Sequence, residues 1–79
     1  MDKLAQERGH LALADQHISE AEQRLAGLAA LIARRRSNGV DASSALALLG
    51  LFEDIIATYR DHRQLILDSI ARLERAGPT

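Results

Sequence analysis

The chain of 79 residues has one strong break, Ser37-Asn38-Gly39-Val40-Asp41, and its position sets where the chain reverses direction. Asn-Gly supplies the positive φ angles that commonly end a helix. Asp41 is a preferred N-cap residue, so a second helix is expected to begin immediately after it. Gly77-Pro78 ends that second segment. The sequence therefore predicts one domain over 1–79, with helices at about 3–36 and 42–76 joined by a turn at 37–41.

Both segments carry apolar residues with a seven-residue period, which is typical of helices that pack along a seam. In helix 1 the two columns are Leu4, Leu11, Ile18, Leu25, Ile32 and Glu7, Ala14, Ala21, Leu28, Arg35. In helix 2 they are Ala45, Phe52, Tyr59, Ile66, Leu73 and Leu48, Ile55, His62, Ser69, Ala76.

A chain folded back at Gly39 brings these columns into register. Leu11 then meets Ile66, and small residues face large ones in several layers. Asp15 and Arg63 flank one layer and are expected to form an ion pair across the seam. The predicted fold class is all-α, an antiparallel two-helix hairpin that resembles a coiled coil.

Helix 2 has more apolar residues than a two-helix seam can cover, and a chain of this size usually needs disulfides, a metal or oligomerisation for stability. The simplest closed solution is a homodimer that forms a four-helix bundle, although a helix pair from an unidentified protein partner would satisfy the same need. The expected association residues are Leu49, Leu51, Phe52, Ile56, Leu65 and Ile70.

The composition limits the classes of function. Ten Lys+Arg against eleven Asp+Glu, one Phe, one Tyr and no Trp argue against nucleic acid as the main partner. The absence of Cys excludes disulfides and thiolate chemistry. No apolar run is long enough for a membrane span, and the acidic start Met1-Asp2 is unlike a signal peptide. These features predict a cytoplasmic protein.

The histidines and carboxylates give no clear site. His10 and His17 lie about 10 Å apart on one helix face, too far for one metal ion, and His62 is placed in the seam opposite Ala14. A seam position for His62 would make assembly sensitive to pH. Asp54, Asp61 and Asp68 recur every seven residues along helix 2, which is typical of a solvated face. We therefore expect no cofactor, no metal, no catalytic residue and no enzymatic activity.

Arg34, Arg35 and Arg36 form the only charge run. Cations at a helix C-terminus offset the helix dipole, which is one role for them. The alternative is a small nucleic-acid-associated regulator in which this cluster contacts phosphates at the hairpin tip.

The stretch from Ala21 to Ile70 resembles short uncharacterised bacterial proteins of about this length. The segments that carry the resemblance are Ala21-Glu22-Gln23-Arg24, Leu31-Ile32-Ala33-Arg34, Asn38-Gly39-Val40-Asp41, Leu48-Leu49 and His62-Arg63. More polar residues stand in those proteins where this chain has Leu46, Ala47 and Leu51. The resemblance implies a helical hairpin and a bacterial origin, and it implies no activity. The function expected from the residues is a non-enzymatic association module that presents a helical surface to a protein partner.

Overall fold

The computed structural model describes residues 2–77, which form two long α-helices lying side by side. Helix α1 spans Lys3–Ser37 and helix α2 spans Ser43–Ala76. The molecule is a rod of 65 × 15 × 14 Å, and residues 2–77 contain no strand. The predicted all-α hairpin is confirmed, and each helix boundary lies within one residue of its expected position. Met1 and Pro78 lie outside the described residues.

The turn ends α1 with backbone hydrogen bonds that the sequence break makes available. Asn38 N–H donates to the Arg34 carbonyl at 3.1 Å, and Val40 N–H donates to the Arg35 carbonyl at 2.8 Å. Gly39 has φ +68°, a conformation that residues with a Cβ rarely adopt, whereas Asn38 stays at φ −94°. The chain can therefore reverse within five residues because glycine stands at this one position.

Helix α2 begins one residue later than expected, so Asp41 lies one position before the N-cap residue. The N-cap residue is Ala42, which has no side-chain hydrogen bond to offer. The Asp41 carboxylate instead accepts hydrogen bonds from the Ser43 hydroxyl at 2.8 Å and the Ser43 N–H at 3.2 Å. These hydrogen bonds favour the ionised carboxylate and lower the pKa of Asp41. Ala42 itself is buried.

On α1, both predicted seam columns face α2. The buried residues are Ala14, Ile18, Ala21 and Ile32, and the half-buried residues of the same columns include Leu4, Leu11, Leu25 and Leu28. Arg35, at the end of one column, is exposed.

On α2, one of the two predicted columns is wrong. The column that begins at Ala45 does face α1, although Tyr59 within it is about one-third exposed. The second column of α2 that faces α1, which we call the companion column, begins four residues after Ala45 and not three. This companion column is Leu49, Ile56, Arg63 and Ile70, of which both isoleucines are buried.

The physical reason for this choice lies at Arg63. Its aliphatic stem can cover the seam while its guanidinium reaches the Asp15 carboxylate beyond the seam, where the predicted ion pair is confirmed. The expected column would have buried the His62 imidazole and the Ser69 hydroxyl, and each would have needed a buried partner. Leu48, Ile55 and His62 are consequently exposed.

Two more ion pairs cross between the helices. Arg8 Nη2 lies 3.2 Å from Glu74 Oε2, and Arg60 Nη2 lies 3.6 Å from Glu22 Oε2. Both pairs are solvent-exposed, so each stabilises the hairpin by only ~0–1 kcal/mol. Their main effect is on register, because a slip of either helix would separate opposite charges along the rod.

We predict that adjacent isoleucines on α2 respond very differently to truncation. Ile56 is 4% exposed and Ile55 is 43% exposed. In dilute solution, Ile56→Ala should lower the free energy of unfolding by about 2–4 kcal/mol, because it leaves a cavity in the seam. Ile55→Ala, the matched control, should lower it by less than about 1 kcal/mol. Chemical unfolding followed by circular dichroism measures both, and equal losses would contradict the α2 register.

A second prediction concerns the cap. Because the pKa of Asp41 is lowered in the folded chain, its contribution to stability is present above the unfolded pKa, about 4, and is lost as the pH falls through the folded pKa. Asp41→Ala should therefore lower Tm at pH 7, and the difference from the parent chain should shrink below about pH 3. The control is Asp61→Ala, which removes an exposed carboxylate that has no hydrogen-bond partner within residues 2–77. A Tm difference that persists unchanged in acid would exclude the charged cap.

Candidate association surface

A row of exposed apolar side chains runs along one face of α2. We call it the α2 stripe, and it consists of Leu48, Leu51, Ile55, Tyr59 and Leu65. Their spacings of three, four and six residues keep all five on one side of the helix, over a length of about 25 Å. Leu51 and Leu65 are the most open, at 60% and 66% exposed. Large apolar side chains that line up in this way mark an interaction surface more often than scattered ones do.

The border of the stripe on α1 is polar. His17, Glu20 and Arg24 face Phe52, Ile55 and Tyr59 across a shallow groove of about 200 Å³. The His17 and Tyr59 rings lie 5.9 Å apart between centroids and are tilted by 34°. This broad side of the hairpin is therefore apolar along α2 and charged along α1.

The opposite broad side carries a second groove of about 410 Å³. Its lining comes equally from the two helices: Glu22, Leu25, Ala26 and Ala29 from α1, and Glu53, Ile56, Ala57 and Arg60 from α2. The Glu22–Arg60 ion pair crosses this groove. The groove is a surface depression over the seam, so a ligand lying in it would remain in contact with water.

The expected association residues divide into three groups. Leu51 and Leu65 are exposed, as an interface requires, and Leu49 and Phe52 are half-buried at the seam edge. Ile56 and Ile70 are buried against α1, so their assignment to an external interface was wrong. Both belong to the companion column that α2 packs against α1.

The sequence prediction missed three members of the stripe. All three belong to the predicted seam columns; the structure places Leu48 and Ile55 outside the seam and Tyr59 at its edge, beside His17 of α1. The signal that identifies them is indirect. Once Arg63 is accepted as a seam residue paired with Asp15, the column containing Leu48 and Ile55 must face solvent.

The histidines do not come together. His10 Nδ1 lies 3.2 Å from Glu7 Oε1, His17 lies beside Tyr59, and His62 is exposed. The expected seam position of His62 opposite Ala14 was therefore wrong. Among residues 2–77, no group of three His, Asp or Glu side chains is placed to hold a metal ion.

The arginine cluster lies at the hairpin tip, by which we mean the last turn of α1 and the turn that follows it. Arg34, Arg35 and Arg36 are all exposed. Arg35 Nη1 donates to the Asp41 carbonyl oxygen at 3.4 Å. The guanidinium groups of Arg34 and Arg36 have no partner within the described part of the chain. All three stand at the negative end of the α1 dipole, which favours cations there.

Comparison with protein-family models, with curated protein sequences and with solved structures yields no significant match. The resemblance to short bacterial proteins stays a prediction. Neither helix within residues 2–77 combines the length and the apolar character needed to cross a membrane.

Proposed function

We propose that the protein is a non-enzymatic helical association module that dimerises through the α2 stripe and forms a four-helix bundle. The observation that carries this proposal is the large solvent-accessible surface area of the hairpin. The hairpin exposes 5791 Å². A compact protein of 8.6 kDa exposes about 4,700 Å². The excess of about 1,100 Å² is comparable with the ~800 Å² that each partner buries in a standard interface.

The thinness of the core supports the same conclusion. The buried apolar residues are all alanine or isoleucine, and none of the residues in 2–77 has a side chain that is fully buried. Such a single layer gives little burial per ordered residue, and small chains commonly make up the difference by oligomerising. A second copy laid on the stripe would add a second layer made of leucine, isoleucine and tyrosine.

Dimerisation through this side leaves the opposite groove on the outside of the bundle. Glu53 lies in that groove and has no partner within residues 2–77, whereas Glu22 and Arg60 pair with each other. A straight helical surface with one unpaired carboxylate suits a protein partner whose helix carries a basic residue. The module would thus hold its two grooves at a fixed spacing for such a partner.

The second candidate function is a small nucleic-acid-associated regulator. It is favoured by one observation, the exposure of Arg34 and Arg36 without an internal partner. Binding to duplex DNA that falls steeply with salt, and that is lost when these two arginines become alanine, would favour this reading. An affinity independent of the arginines would remove it.

We predict that Leu51→Asp breaks the dimer and leaves the hairpin helical. Two carboxylates desolvated in the interface in place of two leucines cost about 3 kcal/mol or more, so the dimer dissociation constant should rise at least about 100-fold. Molar mass by light scattering over a concentration series measures the change, and circular dichroism reports the helicity.

The matched control is Leu46→Asp. Leu46 is 39% exposed and lies on the opposite side of α2 from the stripe, within the first turn, where an aspartate suits the helix dipole. This variant should dimerise like the parent chain. A parent chain that is monomeric throughout the series, or equal loss in both variants, would overturn the proposed role of the stripe.

A further inference from the structure

We infer that the two copies meet α2 against α2 in antiparallel orientation, with the two-fold axis crossing near Ile56 and Ala57. This inference rests on the proposed dimerisation and names the arrangement of the second copy. The three observations behind it are the unequal distribution of apolar residues between the helices, the position of the α2 stripe, and the separation of charge along the rod.

The unequal distribution of apolar residues selects the helices that touch. Within residues 2–77, Leu13 is the only exposed large apolar residue of α1, whereas α2 carries the whole stripe. If α2 packed on the partner's α1, its leucines would cover the side that carries His17, Glu20 and Arg24. Desolvating the Glu20 carboxylate and the Arg24 guanidinium is costly. Packing α2 on the partner's α2 joins apolar surface to apolar surface instead.

The position of the stripe sets the register. It runs from Leu48 to Leu65, so its midpoint falls between Ile56 and Ala57. Reversal about that midpoint brings Leu48 level with the partner's Leu65, and Leu51 level with the partner's His62. Between the Leu51 layer and the two-fold axis, Ile55 lies level with the partner's Thr58. The two ends of the stripe therefore join leucine to leucine, and the layers between them join Leu51 and Ile55 to the exposed residues His62 and Thr58 of the partner.

The charge along the rod selects the direction. The tip holds Arg34, Arg35 and Arg36 against the single carboxylate of Asp41. A parallel dimer would place six arginines at one end, where they repel one another. In the antiparallel dimer each tip lies beside the partner's open end, the end that contains the chain termini. The charged residues of that end balance: Asp2, Glu7, Asp68 and Glu74 against Lys3, Arg8, Arg72 and Arg75.

The antiparallel register also creates one favourable pair. Asp41 comes level with the partner's Arg72, and Arg72 has no partner within the described residues of its own chain. Adjacent α2 helices that run in opposite directions oppose their dipoles, which favours the same choice. Hydrophobic matching therefore chooses the surface, and electrostatics chooses the orientation on it.

The decisive experiment measures the distance between the two tips. The chain contains no cysteine, so Asn38→Cys places one spin label on the exposed turn, away from the stripe. Pulsed electron resonance on the dimer should give a label separation of about 50 Å, because each tip lies roughly 25 Å along the rod from the axis. A parallel dimer would give about 20 Å, which is set by the width of the bundle.

Light scattering on the same labelled sample separates the two ways in which the inference can fail. A dimer with a short tip-to-tip distance overturns the antiparallel arrangement and leaves the proposed dimerisation intact. A monomer overturns the proposed function and the arrangement together. A dimer with the long distance supports both.

Disulfide formation between different variants gives a second, independent readout. Leu48→Cys and Leu65→Cys are prepared separately, exchanged into mixed dimers and then oxidised. The antiparallel register predicts a covalent dimer in the mixture that is at least about tenfold more abundant than in either variant alone. Efficient crosslinking within each unmixed sample would overturn the register, because it requires like residues to face each other.

Discussion

In a pair of helices, each helix can bury only one narrow face against the other. This limit governs the rest of the hairpin. Helices α1 and α2 are nearly equal in length, at 35 and 34 residues, and lie side by side along the rod. Even so, the seam buries only alanine and isoleucine side chains. Every further apolar residue of α2 must lie outside the seam, because a single partner helix has no second face to offer it. The exposed leucines are thus a direct consequence of the architecture.

The small residues of α1 determine how closely the helices approach. Ala14 packs with Ile66 and Ile70, and Leu4 and Leu11 lie against this cluster. A methyl group facing a branched side chain lets the helix axes come near each other, which is consistent with the rod's cross-section of 15 × 14 Å. Larger residues at Ala14 or Ala21 would push the helices apart. The alanines that look neutral in the sequence therefore set the seam geometry.

The fold could be predicted from the sequence because two independent signals agree. Asn38-Gly39 breaks the helix at one place, and the seven-residue columns on either side align only when the chain reverses there. The companion column of α2 could not be predicted from periodicity, because apolar residues flank the Ala45 column on both sides. Residue type favours the wrong side, because Arg63 interrupts the column of Leu49, Ile56 and Ile70 with a charge. The ability of a long arginine stem to cover apolar surface while its charge finds Asp15 decided otherwise.

The same error explains how much of the α2 stripe could be predicted. Leu51 and Leu65 were found because they lie outside either candidate seam, whereas Leu48 and Ile55 were missed because they were assigned to the wrong one. Exchanging the two columns exchanges the roles of the adjacent residues Ile55 and Ile56. One now belongs to the proposed interface between copies, and the other holds α1 to α2.

The residues that hold the hairpin together and those of the proposed interface consequently lie on neighbouring columns of α2, so folding and the proposed association would be energetically linked. A dimer that forms only from folded hairpins raises their apparent stability as the protein concentration rises. The thin seam then needs to hold the hairpin together only well enough for two copies to meet. In the proposed dimer each copy would supply the second face that its partner's α2 lacks, so the constraint that exposes the stripe is also the reason for proposing a second copy as its cover.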